Sequence, residues 1–347
     1  MSPTIPTKAR EYRLPNFEGI QSLTLQEVEV PQPGAKEVLV KIHAVSLNYR
    51  DIIIANNAYP FPLKQNLVPI SDASGTIVAL GPNVKGWHIG DRVSSSFMPD
   101  HLYGDATPGV GSILGGTIDG VLTEYRVFPE HALVQIPAHL THAEAATLPC
   151  AGVTAYNALR GPRPVKAGDT VLVLGTGGVS VLALQIARAS GAEVIVTSAS
   201  DEKLARAKKL GARHVVNYKE TPEWEKEVLK LTNGRGVDHV VEVGGPGTFD
   251  KSLESVRVQG SIHIIGFLAG PTEVANVPMK ILQKGVDVRG IMVGPRSLFE
   301  DLNRLIEIND VKPAVDKVFP FEQAKEAFEH LAAQKHFGKV VIQVAKD

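Results

Sequence analysis

Val171-Leu172-Val173-Leu174-Gly175-Thr176-Gly177-Gly178-Val179-Ser180 runs a short apolar segment straight into a glycine turn, and an apolar helical stretch continues from it to Ala189. An apolar run of this length reads as a strand buried on both faces. In that setting Gly175 permits a tight turn, Gly177 lets the backbone approach a pyrophosphate, and the amides of Gly178 and Val179 opening the helix bind negative charge. Ser180 stands where the third glycine of a dinucleotide fingerprint is expected and is small enough to keep helix and strand close. Residues Gly175, Thr176, Gly177, Gly178 and Val179 are therefore read as cofactor-binding.

Working outward, further apolar runs recur at Val194 to Thr197, His214 to Val216, His239 to Val243, Ile262 to Ile265 and Val286 to Met292, with helical stretches between them. Alternation of this kind predicts βαβ units stacked as a six-stranded, doubly wound parallel sheet, a Rossmann arrangement. An NAD site would place a carboxylate about 20 residues beyond the first glycine to bond the ribose 2′-hydroxyl. Ser198 stands there instead, within Thr197-Ser198-Ala199-Ser200-Asp201-Glu202-Lys203. A carboxylate about 5 Å from a 2′-phosphate would cost about 3 kcal/mol per charge pair at an effective dielectric of about 20, and serine removes that repulsion. Ser198 and Ser200 can donate to a phosphate and Lys203 can meet it as a point charge, so NADP(H) is the expected cofactor. The same residues admit a plainer reading, with Ser200 capping a helix and Lys203 solvated on it.

The chain has 347 residues, 36 Lys plus Arg against 37 Asp plus Glu, and 44% hydrophobic residues, which suits a two-domain globular protein. A net charge of −1 gives no long-range attraction to nucleic acid or anionic lipid, so a small-molecule partner is expected. One cysteine, Cys150, cannot form an internal disulfide or a thiolate cluster for structural zinc. With no apolar signal region near the N-terminus and no membrane-length apolar run, the expected setting is the cytoplasm. Cys150 itself reads as a small buried apolar residue.

Before residue 145 the texture is different: Glu37 to Val45, Gly75 to Leu80 and Arg92 to Ser95 read as antiparallel strands. The expected division is 1–145, completed by 294–347, against 146–293. In the tail, a strand at Val318 to Pro320, a helix over Phe321 to Gln334 and a strand from Lys339 to Val344 are expected, the last rejoining the first domain. Residues 99–120 form a long glycine-rich irregular stretch, of the kind more often functional than idle.

Nine segments stand out beyond these patterns: Ser46-Leu47-Asn48-Tyr49-Arg50-Asp51, Val68-Pro69-Ile70-Ser71-Asp72-Ala73-Ser74-Gly75, Gly90-Asp91-Arg92-Val93, Ala145-Ala146-Thr147-Leu148-Pro149, Thr154-Ala155-Tyr156, the glycine turn, Leu210-Gly211-Ala212, Asn217-Tyr218 and Phe337-Gly338-Lys339-Val340-Val341. Together they resemble the medium-chain dehydrogenase/reductase superfamily, and within it the zinc-free branch containing quinone oxidoreductases. The resemblance implies an α/β fold: a GroES-like, mainly β substrate domain made from both chain ends, a central Rossmann domain, and an active site in the cleft between them. It also implies that Tyr218 lies against the 2′-phosphate, that Gly266, Phe267, Leu268, Ile291, Met292 and Val293 face the nicotinamide, and that the protein is a homodimer.

Metal-dependent relatives bind catalytic zinc through a cysteine, a histidine and a second cysteine, and the matching positions here read Asn48, Ser71 and Cys150. Asparagine and serine are poor zinc ligands, so no metal is expected. Hydride transfer then suits an acceptor that delocalises its own charge, a quinone or α,β-unsaturated carbonyl, with donors at Asn48, Tyr49, Thr154 and Tyr59 to polarise its oxygen. Three of them have a plainer alternative: Asn48 could only position cofactor or backbone, and Tyr49 and Tyr59 could be packing residues. Asp51 is expected to cap the helix through Ala55 or pair with an arginine, and His43 to be structural. A metal-free alcohol dehydrogenase or carbonyl reductase, and a cofactor-binding protein with little turnover in a structural or redox-sensing role, are the competing readings.

Overall fold

Glu37–Leu47 is the longest strand of the computed structural model, which describes residues 5–106, 111–266, 268 and 276–345. Val38, Val40 and Ile42 on one side of this strand enter the main core of the first unit, while Leu39 faces a smaller cluster behind it. A register shift between Ile42 and Ala44 then reverses the parity, so Val45 and Leu47 return to the same core as Val38. A bulge of this kind is how a period-two element can run long and still bury the intended face.

Two units divide the chain: Met1–Val153 with Gly294–Asp347, and Thr154–Val293. The change of texture expected after 145 precedes that division because 142–152 packs on strands of the first unit. In the first unit β1 (Lys8–Arg13) and β2 (Thr24–Glu29) form a separate antiparallel pair. The larger sheet contains β3 (Glu37–Leu47), β4 (Asp72–Leu80), β5 (Arg92–Ser95), β6 (Tyr125–Pro129) and β7 (Leu133–Gln135), with α1 (Tyr49–Ala55) leaving the end of β3 and α2 (His142–Ala145) preceding the division.

The second unit begins with α3 (Val153–Leu159) and continues β8 (Thr170–Leu174), α4 (Gly178–Ala189), β9 (Glu193–Ser198), α5 (Asp201–Lys209), β10 (His214–Asn217), α6 (Trp224–Leu231), β11 (Val237–Glu242), α7 (Pro246–Ser255), β12 (Val256–Ile264), α8 (Val277–Lys284) and β13 (Asp287–Gly290). All six strands are parallel, in the order β10-β9-β8-β11-β12-β13. Numbered within the unit this is 3-2-1-4-5-6, the doubly wound order, and its switch point lies where β8 runs into the glycine turn. The strand expected from Val286 to Met292 is shorter than its apolar run, since β13 is an edge strand held only by β12.

The tail returns to the first unit through α9 (Arg296–Ile308), β14 (Val315–Pro320), α10 (Ala324–Ala332) and β15 (Lys339–Gln343). β15 lies between β14, which it joins in parallel, and β3, which it joins antiparallel. The helix expected over 321–334 opens with a 3-10 turn, Phe321–Gln323, before α10 buries Ala324, Ala327, Phe328 and Leu331 in the main core. Among the described residues of 99–120 there is no helix or strand. No helix of the described residues is long and apolar enough to cross a membrane.

Candidate active site

At the switch point of the second unit, Gly175 has φ 72°, a left-handed conformation that a side chain would oppose. Gly177 is extended and begins α4 without a side-chain cap, leaving the first-turn amides to a ligand. Buried Ser180, at the third-glycine position, donates from Oγ to the Leu174 carbonyl at 2.7 Å, tying the start of α4 back to the end of β8. Its small size and this bond together explain how serine replaces glycine there.

Next to it, β9 ends in buried Ser198 and β10 ends opposite it at Asn217, so Tyr218 follows directly, with its N–H donating to the Ser198 carbonyl at 3.1 Å. Ser200 caps α5, its Oγ accepting from the Lys203 N–H at 3.4 Å, and Ser198 Oγ accepts from the Ser200 N–H at the same distance. Half-exposed Tyr218, Ser198, Ser200 and Lys203 thus share the carboxyl edge of the sheet. Asp201, the first acidic residue after β9, accepts from Asn217 Nδ2 at 2.8 Å. Hydroxyls and a phenol ring thus stand at the end of β9, where an NAD site would carry a carboxylate.

Glu242 ends β11 at the same edge and is fully buried. Its Oε1 accepts from the N–H groups of Gly244 and Gly245 at 2.7 and 2.9 Å and from Thr248 Oγ1 at 2.6 Å, while Oε2 accepts from Ser252 Oγ at 2.5 Å. One carboxylate so shapes the entire β11–α7 turn. Gly266 lies against this turn, where an added Cβ would stand 2.6 Å from the Val243 carbonyl oxygen. Leu268 and Met292 are exposed, and the Ile291 N–H donates to the Ile264 carbonyl. Val293 is buried with φ 49°, and its carbonyl accepts from Asn157 Nδ2 at 2.6 Å. Phe267 lies outside the described residues. A β-branched residue in the left-handed region marks held strain.

In the first unit, Asn48 stands between β3 and α1. Its N–H donates to Asp51 Oδ2 at 2.7 Å, so Asp51 caps the helix as its spacing suggests. Burial pushes the Asp51 carboxyl up to about 6, against the pull of the Arg50 guanidinium. Lys339, opening β15 and almost fully buried, donates from Nζ to the Leu47 carbonyl at 2.6 Å and to Asn48 Oδ1 at 2.5 Å. Burial lowers its ammonium below the ordinary lysine range, with Asp72, Cys150 and Asp51 opposing that shift. Asp72 accepts from Ser71 Oγ at 2.5 Å and from the Cys150 N–H at 3.0 Å. Cys150 is half-buried, and desolvation followed by Asp72 pushes its thiol up to about 12.

This donor set does not fit a zinc ion. Of the three matching positions, Asn48 gives its oxygen to an ammonium and Ser71 gives its hydroxyl to Asp72, and neither an amide nor a serine is an ordinary zinc ligand, which leaves Cys150 alone. Among the described residues no group of three or more His, Cys, Asp or Glu side chains is placed to hold a metal. Tyr49 is 38% exposed on α1. Tyr59 packs on the core, its hydroxyl accepting from Arg50 Nε at 3.3 Å. Thr154 is buried in α3 and belongs to the second unit. His43 stacks on His142 with ring centroids 4.3 Å apart, a structural pairing.

Lys339, Asp72, Arg50 and Glu242 were not singled out as functional by the sequence. A lone charge opening an apolar strand, as in Lys339-Val340-Val341-Ile342, is the signal that a buried partner exists. Buried Arg50 lies between the rings of Tyr59 and Phe97, 5.0 and 4.8 Å from their centroids, and donates to the carbonyls of Leu114 and Gly115. It thereby fixes part of the glycine-rich stretch beside α1.

Residues 34–138 match the alcohol dehydrogenase GroES-like domain family, and residues 178–308 match the zinc-binding dehydrogenase family. The chain is 50% identical over 337 residues to a zinc-type alcohol dehydrogenase-like protein of Schizosaccharomyces pombe, covering 94% of this chain and 97% of that one. It is 29% identical to an acryloyl-coenzyme A reductase of Sulfurisphaera tokodaii, over 93% of this chain and 97% of the other. Among solved structures, a putative alcohol dehydrogenase from Sinorhizobium meliloti matches with a TM-score of 0.92 and 42% identity, covering 98% of this chain and all of that one. With a GroES-like unit, a 3-2-1-4-5-6 parallel sheet and these relatives, the chain belongs to the medium-chain dehydrogenase/reductase superfamily, among its alcohol dehydrogenase-like oxidoreductases.

Proposed function

We propose that this protein uses NADPH, without a metal ion, to reduce a quinone or an α,β-unsaturated carbonyl compound. The observation that carries the reading is the pair of side chains at two of the three zinc-ligand positions, an amide bound to an ammonium and a serine bound to a carboxylate, which leaves one cysteine as the only thiol. Without a Lewis acid, a conjugated acceptor is the carbonyl compound most easily reduced, because its own π system spreads the charge that hydride addition creates. NADPH supplies the hydride. Asn48 and Tyr49 of the first unit and Thr154 of the second are the proposed donors to the acceptor oxygen, with Tyr59 behind them. Tyr59 is the weakest of the four, since its hydroxyl already serves Arg50.

On the second unit, the glycine turn Gly175 to Val179 takes the pyrophosphate, and Ser198, Ser200, Lys203 and Tyr218 take the 2′-phosphate. Gly266, Leu268, Ile291, Met292 and Val293, together with Phe267 outside the described residues, are proposed at the nicotinamide. The acryloyl-coenzyme A reductase relative supports reduction of a conjugated C=C bond. The relatives named alcohol dehydrogenases favour a second reading, exchange between alcohol and carbonyl, which in this chain would run without a metal. A single cysteine suits a cytoplasmic setting, and a homodimer completes the proposal.

The test is NADPH and NADH oxidation by metal-analysed protein, with and without chelator, against a quinone, an enone and a simple aldehyde. NADPH-preferring, chelator-resistant turnover of the quinone or enone is expected. Aldehyde turnover that disappears when stoichiometric zinc is removed would overturn the proposal.

A further inference from the structure

Asn48 has two hydrogen-bonding ends, and the structure decides which faces where. An ammonium carries only donors, so the amide atom 2.5 Å from Lys339 Nζ is the oxygen. The amide nitrogen therefore lies on the opposite side, and among the described residues Asn48 Nδ2 is buried with no hydrogen-bond partner. Buried donors are almost always satisfied, and one left open beside a functional site calls for an acceptor from outside the protein. Lys339 is fixed from a second direction, by its bond to the Leu47 carbonyl at 2.6 Å and by its place at the head of the buried strand β15. Leu47 ends β3 and Asn48 follows it, so the same ammonium clamps both the peptide and the side chain at this corner.

We propose that Lys339 is a positioning residue of the reductase: by holding Asn48 Oδ1 it presents Asn48 Nδ2 as the fixed donor to the carbonyl oxygen of a conjugated substrate. The inference rests on the reductase reading and assigns this residue to it. Hydride from NADPH forms the new C–H bond at the β-carbon, the C=C π pair moves toward the carbonyl, and the oxygen gathers negative charge. Nδ2 stabilises that oxygen, a proton from water is taken up at the α-carbon, and the nucleotide leaves as NADP. Lys339 touches neither substrate nor reacting carbon; it contributes by preventing the amide from turning its oxygen toward an oxygen.

Variants of Asn48 and Lys339 test this with 2-cyclohexenone and 1,4-benzoquinone as probes, alongside NADPH binding measured by fluorescence titration. Asn48→Asp keeps an acceptor for Lys339 but loses the donor; its kcat is expected to fall about 100-fold, with NADPH affinity within about twofold of wild type. Lys339→Met is expected to lower kcat about tenfold or more without weakening NADPH, and Lys339→Arg to recover most of the loss. In Asn48→Ala, adding Lys339→Met should cost nothing further, because the two residues act as one. Should Lys339→Met fail to fold, Asn48→Asp and Lys339→Arg carry the test. Full turnover by Asn48→Asp would overturn the proposal, and so would a Lys339→Met enzyme with intact kcat and NADPH affinity weakened about tenfold, which would make Lys339 a nucleotide ligand instead. A wild-type protein that reduces neither probe overturns the reductase reading and this inference with it. An active wild type with an unimpaired Asn48→Asp overturns the positioning role alone.

Discussion

Lys203 stands in the first turn of α5, a place where a lysine is ordinarily just a solvated charge. Here it follows Ser198 and Ser200 at the tip of β9, with the Tyr218 ring on the neighbouring strand end. Lys203→Ala is expected to weaken NADPH binding about tenfold, about 1.4 kcal/mol, and to leave NADH nearly unchanged. Equal weakening of both cofactors, measured by titration, would remove Lys203 from the phosphate site. The place of the serines was legible in sequence because it is local: a strand, a glycine turn and a second strand put Ser198 at the end of β9 and Ser200 at the cap of α5. Lys339 was not legible as a partner of Asn48, since the two are 291 positions apart and only the pairing of β15 with β3 brings them together. Glu242 was hidden for a different reason, as two of its four donors are backbone amides that any sequence supplies and the other two are hydroxyls common on any helix.

The elements follow their patterns closely where burial is one-sided or complete and less closely at edges, as the shortened β13 shows. Between α1 and β4, the segment leading to Ser71 and Asp72 is held by an unusual contact. Ile70 is fully buried with φ 70°, and the backbone of Gly120 approaches it so closely that an added Cβ would stand 2.0 Å from the Ile70 carbonyl oxygen. The Gly120 N–H donates to Val68 at 2.6 Å and the Val121 N–H to Ile70 at 2.9 Å, so the end of the glycine-rich stretch splints the strained residue. Gly120→Ala should destabilise the first unit by about 1–3 kcal/mol, seen as a lower denaturant midpoint for Trp87 fluorescence. An unchanged midpoint would mean that the strand yields without cost. The sequence marked 99–120 as noteworthy for its glycines; it carried no sign that Ile70, a residue disfavoured in that conformation, is what the last glycine accommodates.

Across the whole molecule, acidity acts in opposite senses on two buried groups, one in each unit. In the second unit, His263 packs on His239 with ring centroids 5.6 Å apart, and burial lowers its pKa to about 3. The unfolded chain then binds the proton that the folded chain refuses, so this stability is full above pH 6.5 and falls as pH drops toward 3. Asp51 in the first unit is raised from 3.8 to about 6, so its contribution is present below pH 3.8 and lost as pH rises through 6. Denaturant unfolding followed by Trp224, with Trp87 replaced by Phe, isolates the second unit. His263→Gln should remove most of its acid sensitivity between pH 6.5 and 5, about 2 kcal/mol. Parallel loss in the variant and its parent would assign that sensitivity elsewhere.

The position of β15 also sets a timetable. Leu47 and Lys339 are 292 positions apart, which at about 5–20 residues per second is roughly 15–60 s of synthesis. Throughout that interval β3 can pair with β4 along one edge and with β6 over residues 37–41 of the other, but the 44–47 part of that second edge waits, while the whole parallel-sheet unit emerges and can fold in between. An open strand edge is a template for wrong partners. Ribosome pausing or truncation ahead of β15 would therefore release a chain with a finished nucleotide unit and an unsealed sheet, and Asn48 would be among the last side chains to find its place.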